Sequence, residues 1–158
     1  MLVSSLSPSK LLAQQSKDKN IVVSQEYLKS IIETIAIPRH YIHERKNNLK
    51  VRNWIKKEFE DLGLYSIYQG EYDNIIATFD GVSMEECEII IGGHYDSVPH
   101  SLGADDNASA IAGMLAVAKA LRAVDSTLKV MFVAFNREED GLLGSYDCNH
   151  SASNQKMI

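Results

Sequence analysis

Cysteine, proline and tryptophan are scarce in this chain of 158 residues, which has two cysteines, three prolines and one tryptophan. Cys87 and Cys148 are too few for the disulfide framework of a small secreted domain, and Cys87 reads as a small apolar residue of a packed interior. With nine glycines beside the three prolines, the chain is neither low-complexity nor collagen-like. Long apolar runs are missing as well, and none approaches the ~18 residues that a membrane span needs. An excess of positive charge is also absent. The formal net charge is −5, which argues against a general nucleic-acid binder. No secretory leader can be recognised: Lys10 follows rather than precedes the Leu2-to-Leu6 stretch, which Ser4, Ser5, Ser7 and Pro8 interrupt. The expectation is a cytoplasmic protein without a membrane or nucleic-acid partner.

What is present suits one domain. The apolar fraction is 45%, enough for a core. Residues 1–20, rich in Ser, Gln and Lys, read as a disordered tail, which leaves 21–158 as the folded part. Charge is unevenly spread. Residues 1–80 carry 11 basic and 10 acidic side chains, whereas residues 81–158 carry 5 and 11. Five of those eleven acids fall in two clusters, Asp105-Asp106 and Glu138-Glu139-Asp140. Like charges so close repel unless a cation lies between them, the first sign of a metal.

Ser24 is a good N-cap for a helix whose apolar face is Leu28, Ile31, Ile32 and Ile35, ended by Pro38. A second helix is expected over Glu44–Leu62, with Val51, Trp54, Ile55, Phe59 and Leu62 as its stripe and Gly63 as its stop. Its Lys and Arg residues are interleaved with Glu58, Glu60 and Asp61 and read as a solvated face. Leu64–Tyr68 and Asn74–Phe79 read as strands of a hairpin. Glu88–Ile91 reads as a short buried strand bounded by Gly92-Gly93. A helix is expected over Asn107–Ala123, with Ile111, Met114, Leu115, Ala118 and Leu121 inward, followed by an apolar strand over Lys129–Phe135. Strand, helix and strand in that order form a βαβ unit with a parallel pair.

The unusual polar residues all fall at one rim of that unit. His94-Tyr95-Asp96 follows the first parallel strand, Asp105-Asp106 precedes the crossover helix, and Glu138-Glu139-Asp140 follows the second strand. Ligands bind at the carboxyl ends of strands in open α/β sheets. Taken singly, each group has an ordinary reading: an N-cap for Asp106, a loop histidine, a solvated acidic turn. Those readings do not explain the coincidence. Imidazole and carboxylate donors with little sulfur suit zinc, with manganese or cobalt as alternatives. Asp96 can accept the second ring N–H of His94. Neighbouring Glu138 and Glu139 point to opposite sides near a strand end, so one can bind metal while the other acts as a base.

Ile91-Gly92-Gly93-His94-Tyr95-Asp96-Ser97, Gly103-Ala104-Asp105-Asp106-Asn107-Ala108-Ser109 and Glu138-Glu139-Asp140-Gly141-Leu142-Leu143-Gly144-Ser145 resemble the motifs of the zinc aminopeptidase family numbered twenty-eight among metallopeptidases. Its relatives include glutaminyl cyclase, glutamate carboxypeptidase and transferrin receptor. The resemblance covers Ser24 to Ser145, with 12 residues from His94 to Asp106 and 32 from Asp106 to Glu138. It implies an α/β fold in three layers, helix-sheet-helix, around a mixed, mostly parallel central sheet. It implies His94 and Glu139 as ligands to two different metal ions and Asp106 as the carboxylate bridging them. Asp105 falls where the family places no ligand. It further implies Glu138 as general base, Asp96 as the partner of His94 in the catalytic machinery, and a cis peptide at Asp106–Asn107. The implied activity is hydrolysis of an N-terminal peptide bond in a peptide substrate, with two zinc ions as cofactor.

The family uses five protein ligands, of which three are found here. Asp147, Cys148 and His150, the only metal-competent residues after the third motif, lie too near it to supply the others. The chain is therefore read as the N-terminal part of a catalytic domain, truncated after a Ser- and Asn-rich, weakly patterned Tyr146–Ile158. On that reading the sheet is incomplete on its C-terminal side, with an exposed edge prone to self-association, and the isolated chain has little or no activity. A cyclase-like enzyme, a deacylase- or dipeptidase-like enzyme and a non-catalytic fragment of the same fold are the alternatives. The Asp105–Ser109 segment fits the aminopeptidases better than either alternative enzyme class.

Overall fold

The structure is a computed structural model and describes residues 23–79, 83, 86–124 and 127–154. The expected tail over residues 1–20 lies outside the described residues. Ser24 Oγ accepts the amide of Tyr27 at 3.1 Å and opens helix α1, Gln25–Ile35. Ile31 and Ile35 of its apolar face are buried. Helix α2, Arg45–Asp61, buries Val51, Ile55 and Phe59 one turn apart. It stops at Gly63, whose φ of 82° lets the amide of Leu64 reach back to the Phe59 carbonyl at 3.0 Å. Its basic face is met by acids: Arg45 and Arg52 pair with Asp73, Lys56 with Glu60 and Lys57 with Asp61.

Strands β1, Tyr65–Gln69, and β2, Asn74–Thr78, form the expected antiparallel hairpin. Strand β3 runs over Ile89–His94 and β4 over Val130–Phe135, and the two pair in parallel around helix α3, Ser109–Ala123. The sheet order is β1-β2-β4-β3. It is mixed, as expected, but not mostly parallel: β1/β2 and β2/β4 are antiparallel and only β3/β4 is parallel. The hairpin reverses the chain, so the strand it offers to β4 runs the opposite way.

Three further expectations are corrected. Gly92 and Gly93 lie inside β3 rather than bounding it. A Cβ on Gly92 would sit 2.8 Å from the Phe135 ring, and one on Gly93 would sit 3.1 Å from Cβ of Ala110. These glycines let a neighbouring ring and helix α3 approach the strand. β3 is also not buried at its start, because it is a sheet edge: Ile89 and Ile90 are exposed. Finally, the weakly patterned segment after Ser145 is helical in its described part, since helix α4 spans Leu143–Asn154. It is fixed by polar contacts that leave no apolar period. Asn74 Nδ2 donates to the Gly144 carbonyl, and the Glu71 amide donates to Asp147 Oδ2, each at 2.8 Å.

Helices pack on both faces of the sheet. Val130, Phe132 and Ala134 of β4 face Ile35, Ile55, Phe59, Ile111 and Leu115 of the helices. Met131 and Val133 face Cys148 of α4 on the other side. Burial of each large apolar side chain stabilises the fold by about 1.5–3 kcal/mol. No helix among the described residues is long and apolar enough to cross a membrane.

Candidate metal centre

Parallel pairing puts the carboxyl ends of β3 and β4 side by side, with His94 opposite Phe135. His94 is the last residue of β3, and Glu138 and Glu139 follow β4 within four residues. Asp106 comes to the same rim on a kinked turn over Ala104–Ala108, whose Asp106–Asn107 peptide is cis. Helix α3 begins two residues later than expected because Asp106 and Asn107 have non-helical backbone angles. Asn107 takes the capping role, its Oδ1 accepting the Ala110 amide at 3.2 Å. The ordinary reading of Asp106 as an N-cap therefore does not apply, and its carboxylate is turned to the rim.

His94 is the hub. Its Nε2 lies 2.9 Å from Asp106 Oδ1 and 3.7 Å from Glu138 Oε2. Donor atoms of His94, Glu138 and Glu139 all lie within 4.8 Å of one another, and among the described residues this is the one such group. Asp106 touches His94 but stands outside that group. Asp105 is exposed. Asp140 is turned elsewhere, with Oδ2 accepting from Arg137 Nε at 2.9 Å and Oδ1 lying 3.3 Å from His40 Nε2. Asp96 is wholly buried. Its Oδ1 lies 3.4 Å from His94 Nδ1, and its two oxygens accept the amides of Glu138 and Glu139, each at 3.2 Å. One carboxylate thus fixes both the imidazole and the acidic turn opposite it.

The charges are unbalanced within this cluster. Burial disfavours the His94 cation, but the Asp96 contact and the charges of Asp96, Glu138 and Asp106 outweigh it and raise the imidazole pKa. Burial raises the Glu139 carboxyl pKa, and repulsion from Asp106, Asp96 and Glu138 adds to it, against the opposing effect of His94. Both groups hold a proton more tightly than usual, as expected where acids converge. His94 Nδ1 is buried and lacks a hydrogen bond of good geometry. An oxygen-rich donor set around one imidazole fits a divalent cation of the zinc type, as does a ring whose far nitrogen faces a carboxylate. A cavity of about 430 Å³ opens beside these groups, bordered by His94, Glu138, Asn107, Ile90, Phe135 and Leu142.

Sequence reasoning missed two supports of this rim. One is Arg39, fully buried, which donates to the carbonyls of Tyr95, Leu102 and Gly103. The other is a set of buried asparagines. Asn136 Nδ2 donates to Asn48 Oδ1 at 3.2 Å and to the Tyr72 carbonyl at 2.9 Å, and its amide donates to Asn74 Oδ1 at 3.0 Å. Asn136 carried a local signal, as the polar residue that ends the apolar β4 run. Arg39 carried none, because three of its four carbonyl partners lie over 50 residues away.

Comparison with known proteins agrees with these motifs. The family model for peptidase family M28 matches residues 74–158. Aminopeptidase YwaD of Bacillus subtilis is 44% identical over 73 residues, covering 46% of this chain and 16% of that protein. A probable leucine aminopeptidase of Trichophyton verrucosum is 31% identical over 147 residues, covering 78% and 39%. Among solved structures, LapB of Legionella pneumophila superposes with a TM-score of 0.72 at 18% identity, covering 95% of this chain and 49% of that one. Glutaminyl cyclase of Macrostomum lignano superposes at 0.61 with 22% identity, covering 86% and 43%. At those identities the structural likeness shows the α/β fold alone. The chain spans less than half the length of each of these relatives. The match over more than half of this chain, across a stretch that contains the three motifs, places it in peptidase family M28.

Proposed function

We propose that this chain carries the metal-binding and proton-transfer residues of a zinc-dependent aminopeptidase. The observation that supports this reading best is the meeting of His94, Asp106, Glu138 and Glu139 from three separate segments at one sheet rim. His94, Asp106 and Glu139 would hold zinc. Bound zinc supplies Lewis acidity, polarising a scissile carbonyl and lowering the pKa of water. Glu138, about one-third exposed and bordering the cavity, takes a proton from the attacking water as the new C–O bond forms. It returns that proton to the amine as the C–N bond breaks. Asp96 holds His94 and the Glu138–Glu139 turn in register while this happens.

The test is a calorimetric zinc titration of the purified chain, with Asp106→Ala beside it. Saturable binding that is lost in the variant is the expected result. Equal binding by both proteins, or none by either, would remove the reading. A peptidase assay on whichever polypeptide binds zinc then separates release of an N-terminal residue from cyclisation of an N-terminal glutamine.

A further inference from the structure

We infer that Arg39 is the positioning residue of this centre, tying the segments that carry all three motifs before any metal arrives. The inference rests on the metal reading above but is drawn from different contacts. The guanidinium is fully buried and donates to four carbonyls. Nε reaches Tyr95 at 2.6 Å, Nη1 reaches Leu102 at 2.6 Å and Ile37 at 3.2 Å, and Nη2 reaches Gly103 at 2.8 Å. Tyr95 lies between His94 and Asp96, while Leu102 and Gly103 lead directly into the turn that bears Asp106. One planar fork therefore sets the spacing between the first motif and the second.

The backbone of the same residue reaches the rest. Its amide donates to Ser97 Oγ at 3.1 Å. Its carbonyl accepts from Asn48 Nδ2 at 3.0 Å, which also donates to Asn136 Oδ1 at 2.9 Å, two residues before Glu138. The approach is built for this fork. Gly103 sits at φ +55°, and a Cβ there would lie 2.9 Å from both Nη1 and Nη2 and 2.6 Å from the Asp106 carbonyl.

The guanidinium is also the fixed cation of an acidic site. Burial lowers its pKa to about 10, against the opposing pull of Asp96, Glu139 and Asp106, so it stays charged at neutral pH. A lysine keeps the charge but offers three donors from one point and cannot span four carbonyls.

The experiment compares wild type, Arg39→Lys and Gly103→Ala by zinc titration and by amide hydrogen exchange of the metal-free proteins. Gly103→Ala disturbs the same contact from its other side and serves if the lysine variant does not fold. The expected result is a zinc Kd raised about tenfold or more, with faster exchange at Ala108, Glu138 and Glu139 while α2 and β2 keep their protection. Unchanged zinc affinity with unchanged exchange at those amides overturns the inference. So does exchange accelerated evenly across α2, β2 and the motif amides, which is the mark of a merely structural residue. If wild type binds no zinc, the metal reading fails by itself and the exchange pattern alone decides the role of Arg39.

Discussion

Individual residues at this rim are set against one another by charge, and pH exposes the balance. The folded pKa values of His94 and Glu139 are both raised, that of His94 against its burial and that of Glu139 chiefly because of it. A raised folded pKa contributes stability that is fully present below the unfolded value and lost as pH rises through the folded one. The metal-free protein should therefore lose stability as pH rises through the folded values, which lie above the ordinary carboxyl value for Glu139 and above the ordinary imidazole value for His94. Metal binding needs both groups deprotonated, so zinc affinity should climb with pH over the same interval. Titrations between about pH 5 and pH 8 check this, and a zinc Kd that does not move with pH contradicts it. Asp96→Asn removes the largest influence raising the His94 pKa. It should shift the imidazole midpoint downward in a proton NMR titration and weaken zinc binding by about 10–100-fold.

Secondary-structure elements meet here through buried amide groups as much as through apolar faces. Asn136 directly follows β4 and joins α2 through Asn48 and the hairpin through Asn74 and Tyr72. Asn136→Ala keeps the backbone bond to Asn74 but removes the side-chain bonds to Asn48 and to the Tyr72 carbonyl, so we expect a loss of about 1–3 kcal/mol in urea unfolding. An unchanged midpoint would show that the link contributes nothing to stability. Helices α1 and α2 were legible because their buried residues recur at the helical period, and the βαβ unit because its strands are short apolar runs on either side of one. The rim was legible because three polar clusters fell at the ends of those elements. The rest follows from contacts that leave no pattern along the chain. Arg39 is defined by distant carbonyls, α4 by two polar contacts and one buried cysteine, and the exposure of β3 by what lies beside it. An isoleucine run reads the same whether or not a neighbour covers it.

On the scale of the molecule, β1 and β3 are the two ends of the sheet. On β3, Ile89 is 42% and Ile90 58% exposed, an apolar edge of the kind that pairs with other chains. Sedimentation of the purified chain should show concentration-dependent association, and Ile90→Lys should reduce it. A wild-type monomer at every concentration would remove that expectation. The order β1-β2-β4-β3 has a different consequence during synthesis. Of the sheet's two inner strands, β4 is the last of all four to be made. From Thr78 until Val130 leaves the ribosome, the hairpin and then β3 have no strand to join them. The nascent chain holds two waiting halves, and one six-residue segment, arriving last, turns them into a single sheet and brings the acidic turn to His94 in the same event.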